Sequence, residues 1–290
     1  MGKLFIGKLN INNDIYEVYD KKKDIKKILN SIYKGINANV ILNEEDGGRY
    51  KFFDIDSKEN GVITGKLGHI KAGIDSTYDP NKDTAIDVKN PNKIDYVVFH
   101  VNLDDELIAF TTSISIRNKK FFEVFEDLIM KGTKIGVSLK MINDSEKFDE
   151  KFKKMEVLKK VKIKFIPPND DEEDFSKLFS VSPAKFKEAK ITRATQTLST
   201  RKKDGLKKDS TAIQGYITGT KLGYAEAEFS GKDYTGTDID IDTAKDTPKY
   251  VMVSQNNIHN NHIIAKTANK VFESIKLQFN LQKYHNKNKK

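Results

Sequence analysis

Apolar positions along this chain switch repeatedly between a period of two and a period near 3.6, and that switching predicts its elements. The run from Leu4 to Ile11 reads as a strand. Ile25, Ile28, Leu29 and Ile32 then share one helical face, which predicts a helix over 21–34 with Asp20 as its cap and Gly35 at its end. Tyr50 to Ile55 and Val62 to Ile70 flank Ser57-Lys58-Glu59-Asn60-Gly61, a turn whose Asn-Gly pair suits a hairpin. Tyr78 to Asn92 is rich in Asp, Asn, Lys and Pro without an apolar period, and is expected to be an exposed loop. Tyr96 to Val101 and Leu107 to Phe110 are two apolar strands around the charged turn Asp104-Asp105-Glu106. Phe121, Phe122, Val124, Phe125, Leu128 and Ile129 predict a helix closing on Gly132. A polar helix over 145–160, with Phe148, Phe152 and Met155 on one stripe, leads to a strand from Val161 to Ile166 and then to Pro167-Pro168.

The acidic run Asp170-Asp171-Glu172-Glu173-Asp174 after the two prolines reads as a solvated linker. Beyond it, Ser182-Pro183 is a helix-start pair, because serine oxygen can cap free amides and proline suits the first helical position. Ser210 is placed to cap a helix carrying Ala212, Ile213, Tyr216 and Ile217. Strands from Gly223 to Phe229 and from Tyr250 to Val253 flank a polar loop. Ile264, Ala268, Val271, Ile275 and Phe279 form one stripe on a final helix. The expected fold class is therefore mixed α+β in two lobes: an antiparallel-hairpin sheet packed by helices over 1–166, a Pro/acidic linker over 167–182, and a basic α/β lobe over 183–290. The stripe of the last helix can be covered within the chain or can build a homodimer.

Composition sharpens this picture through its charge. The net charge is +9, and residues 181–290 hold 20 basic against 11 acidic side chains, while residues 1–180 are balanced. Such asymmetry is what a polyanion-facing surface requires; a Lys- and Asn-rich composition from an AT-rich genome produces the same numbers. No cysteine is present, which excludes disulfides and thiolate metal sites and fits a reducing compartment. The N-terminal apolar run is too short for a signal peptide and no stretch approaches the length of a membrane span, so a cytoplasmic protein without membrane insertion is expected.

The strongest functional signal is the stretch Lys185 to Lys208. Lys190, Arg193, Arg201, Lys202, Lys203, Lys207 and Lys208 are the expected phosphate contacts, with threonine and serine hydroxyls interspersed. Two of the four arginines fall here, and a planar guanidinium suits phosphate better than an ammonium does. Other constellations are weaker. His259-x-x-His262 with Asp238, Asp240 and Asp242 has metal-ligand residue types, and Asp174 with Glu188-Ala189-Lys190 has the composition of a metal-dependent nuclease. His69-x-Lys71-x-x-x-Asp75 has its aspartate one residue early for a phospholipase-type motif, and Gly61 to Leu67 is one residue short of a phosphate loop and sits in a hairpin. The sequence calls for no cofactor or metal and names no catalytic residue.

The segment Ile94 to Val101, its charged turn, Leu107 to Phe110 and the helix from Phe121 to Met130 resemble the RexA phage-exclusion proteins and the KwaB proteins of Kiwa defence systems. The resemblance implies a cytoplasmic DNA-binding protein, commonly dimeric, that acts against phage beside a separately encoded membrane partner protein. It carries over no catalytic motif. The resulting expectation is non-specific or weakly specific DNA binding in phage defence. A metal-dependent nuclease effector and a protein-interaction module without nucleic-acid binding are the alternatives.

Overall fold

The computed structural model describes residues 1–59, 61–169 and 172–287. Among them are twelve strands and eight helices in a mixed α+β fold with two sheets, the larger curled into a half-barrel. The first part of the chain runs β1 (Gly2–Ile11), α1 (Ile15–Tyr19), α2 (Ile25–Gly35), β2 (Ile41–Asn43), β3 (Arg49–Glu59), β4 (Val62–Asp79), β5 (Thr84–Asn102) and β6 (Leu107–Phe110). It continues with α3 (Asn118–Thr133), β7 (Val137–Met141), α4 (Ser145–Lys154), β8 (Val157–Phe165), α5 (Glu172–Phe179) and α6 (Pro183–Glu188). The rest is β9 (Ala194–Ser199), α7 (Thr211–Lys221), β10 (Ala225–Lys232), β11 (Asp238–Asp242), β12 (Tyr250–Val253) and α8 (Asn261–Lys287).

The larger sheet has the order β12-β1-β6-β5-β4-β3-β2, all antiparallel, with β7 pairing the second half of β1. One face carries Val97, Phe99 and Val101 into a core with α2 and α3, where Phe52, Phe99 and Phe125 meet edge to face. The other face carries Leu4, Ile6, Val98 and Ala109 against Ile264, Ala268, Phe272 and Ile275 of α8. The stripe expected on the last helix is thus covered inside the chain, which removes it as the ground for a homodimer. The smaller sheet, β11-β10-β8-β9, buries one face against α4, α5 and α7 and leaves the other open.

The two sheets do not divide where the prolines suggested. β8 lies before the expected boundary at 166 and is an inner strand of the smaller sheet, while β12 and α8 come from beyond it and complete the larger one. Strand pairing satisfies backbone groups over any chain separation, so a local linker signal does not report which sheet a strand joins. Within 167–182, Phe175, Leu178 and Phe179 form a buried i, i+3, i+4 stripe on α5, so this stretch is structure rather than linker; Asp170 and Asp171 lie outside the described residues.

Local boundaries also differ. Asp24 caps α2, accepting from the Lys26 N–H, while Asp20 instead binds Lys187. The expected helix over 145–160 ends at Lys154, because the alternation from Val157 onward belongs to β8. The loop expected over Tyr78 to Asn92 is the far end of a β4–β5 ribbon, turning at 80–83. It shows no apolar period because no core lies against either of its faces. The polar loop expected between the last two strands contains β11.

Candidate nucleic-acid interface

The basic segment spans α6, the edge strand β9 and a turn that closes back on β8. β9 alternates by side: Thr195, Thr197 and Ser199 face solvent, and Leu198 and Ala194 pack on the smaller sheet's core. The turn after it is pinned by the Leu206 N–H donating to the Leu158 carbonyl at 2.6 Å. The Lys159 ammonium adds bonds to the carbonyls of Lys202 at 2.5 Å and Lys203 at 3.1 Å. The side chains of Arg201, Lys202 and Lys203 are exposed. None of the three makes an ion pair among the described residues.

The expected contacts separate into two kinds. Lys190, exposed just past α6 in a left-handed conformation, makes no ion pair among the described residues, like the Arg201 to Lys203 group; Lys207 is exposed and 4.0 Å from Asp209. Arg193 and Lys208 are engaged elsewhere. The Arg193 guanidinium donates to Ser138 Oγ at 3.2 Å and lies 3.9 Å from Glu126, tying the smaller sheet to β7 and α3. Lys208 donates to the carbonyls of Met155 at 2.7 Å and Phe152 at 3.0 Å and sits over the Phe152 ring. Those carbonyls close the C-terminal end of α4, where a cation complements the helix dipole. Burial pulls the Lys208 ammonium below its ordinary pKa, with Glu156 acting the other way. Lys208 is therefore an inward-facing helix anchor, because its long stem follows the aromatic surface of α4.

The geometry adds cations that the basic segment did not contain. β8 alternates Val161, Ile163 and Phe165 into the core with Lys160, Lys162 and Lys164 on the open face. Register places Lys160 opposite Ser199, Lys162 opposite Thr197 and Lys164 opposite Thr195. A column of ammoniums spaced about 6.6 Å apart along the strand thus lies beside a column of hydroxyls. The signal was the strict alternation from Lys160 to Phe165. It was hidden by the balanced charge of residues 1–180, since the sheet is assembled from both sides of that division.

The other half of the same face is acidic. β10 presents Glu226 and Glu228, and β11 presents Asp240 and Asp242. Lys162 is 3.6 Å from Glu228, and Glu226 is 3.6 Å from the buried Lys140 of β7. Lys160 and Lys164 remain without an ion pair among the described residues. The open face is thus polarised, with its positive side at β8 beside the hydroxyls of β9, and the exposed Arg201–Lys203 turn follows β9 at the same edge of the sheet.

The remaining sequence candidates do not assemble into sites. No group of three His, Cys, Asp or Glu side chains is placed to hold a metal among the described residues. His259 packs on Tyr96, at a ring distance of 4.9 Å, beside the larger sheet, whereas Asp238, Asp240 and Asp242 lie on β11 of the smaller one. His69 binds Glu44 at 2.7 Å and stacks on Tyr50, Lys71 binds Asp46, and Asp75 binds Lys93 at 2.9 Å, so each group of that motif is taken up by the β2–β3 turn or the neighbouring strand. Gly61 lies in the turn before β4, and Val62 to Leu67 run along β4. Between the sheets, Lys8 pairs with Glu106 at 3.1 Å under Tyr224 and Phe279. Burial holds the Glu126 carboxyl above its usual range against the pull of the Leu139 N–H, Arg193 and Lys140.

No helix among the described residues is long and apolar enough to cross a membrane. No curated protein matches the chain. The profile of one family, described as "Domain of unknown function (DUF4747)", matches residues 22–273, from just before α2 to within α8, and so takes in the smaller sheet whole and all but the first strand of the larger. The chain belongs to the DUF4747 family.

Proposed function

We propose that the open β8–β9 face of the smaller sheet binds nucleic acid through its phosphates, without reading sequence. The observation that supports this reading most is the band of cations without an ion pair among the described residues, Lys160, Lys164, Arg201, Lys202 and Lys203, held on a paired strand and a pinned turn beside Thr195, Thr197 and Ser199. Each ammonium or guanidinium near a phosphate releases condensed counterions, and hydroxyls add hydrogen bonds to phosphate oxygen. The acidic β10–β11 half repels a polyanion and confines it to the β9 side. Arg193 and Lys208, being engaged within the fold, leave the contact set; Lys207, beside Asp209, and Lys190, past the end of α6, lie outside the β8–β9 register and the pinned turn and are not counted among its five cations. A role against phage, in the cytoplasm beside a membrane partner, belongs to the same proposal and rests on the RexA- and KwaB-like segment from Ile94 to Met130.

The test is a binding titration of labelled duplex, single strand and RNA over a salt series, with and without divalent metal. Five phosphate contacts on B-form duplex correspond to a log-log salt slope of about −4.5, at about 0.9 per contact. Replacing Lys160 and Lys164 by alanine should flatten it by about 1.8, and replacing Arg201, Lys202 and Lys203 by about 2.7, equally on unrelated sequences. Unchanged affinity in both folded variants would make the face a solvated sheet surface, and metal-dependent cutting of plasmid would move the protein to the nuclease class.

A further inference from the structure

The β4–β5 ribbon outruns the rest of the larger sheet. β3 stops pairing with β4 at Ile70, and β6 meets β5 only from Phe99 onward, so residues 71–93 project as two strands alone. At about 3.3 Å per residue, the arm from Lys71 to Asp79 reaches about 30 Å. It exposes Ile74, Tyr78, Ile86 and Val88, with Val88 59% and Tyr78 62% accessible, and Ile94 is exposed at its base. A two-stranded ribbon alone in water is marginally stable, and apolar side chains clustered on both of its faces mark a docking element. Four lysines and four aspartates give the arm no net charge, which makes it a poor match to a polyanion.

The free edge of β5 reads Ile86-Asp87-Val88-Lys89-Asn90 and is bounded by Pro91, whose missing N–H ends any further ladder. We infer that this edge pairs antiparallel with the same edge of a second copy of the chain, about a two-fold axis at Val88. That register sets Val88 opposite Val88, and Asp87 opposite Lys89 in both directions. Among the described residues Lys89 makes no ion pair and Asp87 is bonded by a side chain only from the Ser76 hydroxyl, at 2.6 Å, so both charges are available. Val88 and Ile86 lie on the ribbon face opposite to Asp87 and Lys89, as their β4 partners Asp75 and Thr77 show. The paired arms then form a four-stranded sheet with the valines and isoleucines of both copies clustered on one face and two Asp–Lys pairs on the other. A lysine at an open edge ordinarily keeps other strands away. Here it accepts only a strand bearing an acid two positions from it in the reverse direction, which this chain's own edge supplies. The β4 edge is less suited, because Lys71 is bound to Asp46 and a symmetric pairing about Asp75 opposes two aspartates.

Sedimentation over a concentration series tests the pairing on the full chain. The wild type should shift from 33.0 kDa to twice that mass. Asp87→Lys or Lys89→Asp alone, each placing like charges opposite one another in two symmetric pairs, should weaken association about tenfold. The double variant should restore it, and a mixture of the two single variants should form a heterodimer. Since the sequence has no cysteine, Val88→Cys introduces a single thiol that should cross-link two copies on oxidation, whereas Thr77→Cys, one strand further from the axis, should not. The restored double variant separates lost pairing from lost folding. A monomer at every concentration, or a dimer indifferent to both charge reversals and without the V88C cross-link, overturns the inference. So does a ribbon whose variants stay monomeric while losing nucleic-acid affinity.

Discussion

The two sheets are built by the same alternation of side chains but differ in how many faces they bury. Apart from its β4–β5 ribbon, the larger sheet is covered on both, by α2 and α3 on one side and α8 on the other. Its inner strands consequently read as near-continuous apolar runs, as in Tyr96 to Val101. The smaller sheet is covered on one face only, so β8 reads as valine, isoleucine and phenylalanine between lysines. Side chains on the doubly covered part of the larger sheet are committed to stability. Those on the open face are free for a partner, and Lys160 and Lys164, proposed for function, sit there.

The largest expected effect breaks the covered sheet. Phe99→Ala removes a fully buried ring between Phe52 and Phe125 and should cost about 3–5 kcal/mol in urea unfolding. A loss below about 1 kcal/mol would mean that this face is not packed as described.

A smaller effect sharpens the difference between neighbouring lysines of one segment. Lys208→Ala should lower stability by about 1–2 kcal/mol, by stripping the end of α4 of its charged donor, and leave nucleic-acid affinity nearly unchanged. Lys203→Ala should do the reverse, with stability changed by less than about 0.5 kcal/mol. If both variants behave alike in unfolding and in binding, the division of the basic segment into anchor and contact is wrong.

The smallest effect concerns His100, held between β5 and α8. His100 Nδ1 meets the Thr64 hydroxyl at 2.8 Å and Nε2 meets Asn269 Oδ1 at 2.9 Å. Burial holds its pKa below the ordinary 6.5, against the Asn269 bond, so the folded state favours the neutral ring. The unfolded chain then binds the proton more readily, and this contribution to stability, complete above pH 6.5, is lost as pH falls through the depressed folded value. Urea midpoints between pH ~7.5 and ~5.5 should therefore decline in the wild type and decline less in His100→Gln. Equal slopes would place the pH sensitivity elsewhere.

Much of the fold was legible because burial leaves a period. Ile28, Leu29 and Ile32 announced α2, the stretch from Phe121 to Ile129 announced α3, and Leu107 to Phe110 announced a buried strand. The ribbon at 78–92 was not legible, since strands with nothing against them need no apolar face. The candidate site was half legible. Arg201, Lys202 and Lys203 stood out as a charge run, but Lys160 and Lys164 enter only through the β8–β9 register, and Lys208 leaves only through its contact with α4.

The sequence by itself determined which residues are apolar, at what period they recur, and where positive charge is concentrated. Those facts follow from local chemistry and fix helices, buried strands and turns one by one. Only the tertiary structure decided that β8 joins β9 and β10, that β12 and α8 return to close the first sheet, and which lysines point outward. Backbone pairing and the covering of a face are satisfied between segments far apart in the chain, and no local pattern carries the identity of the distant partner.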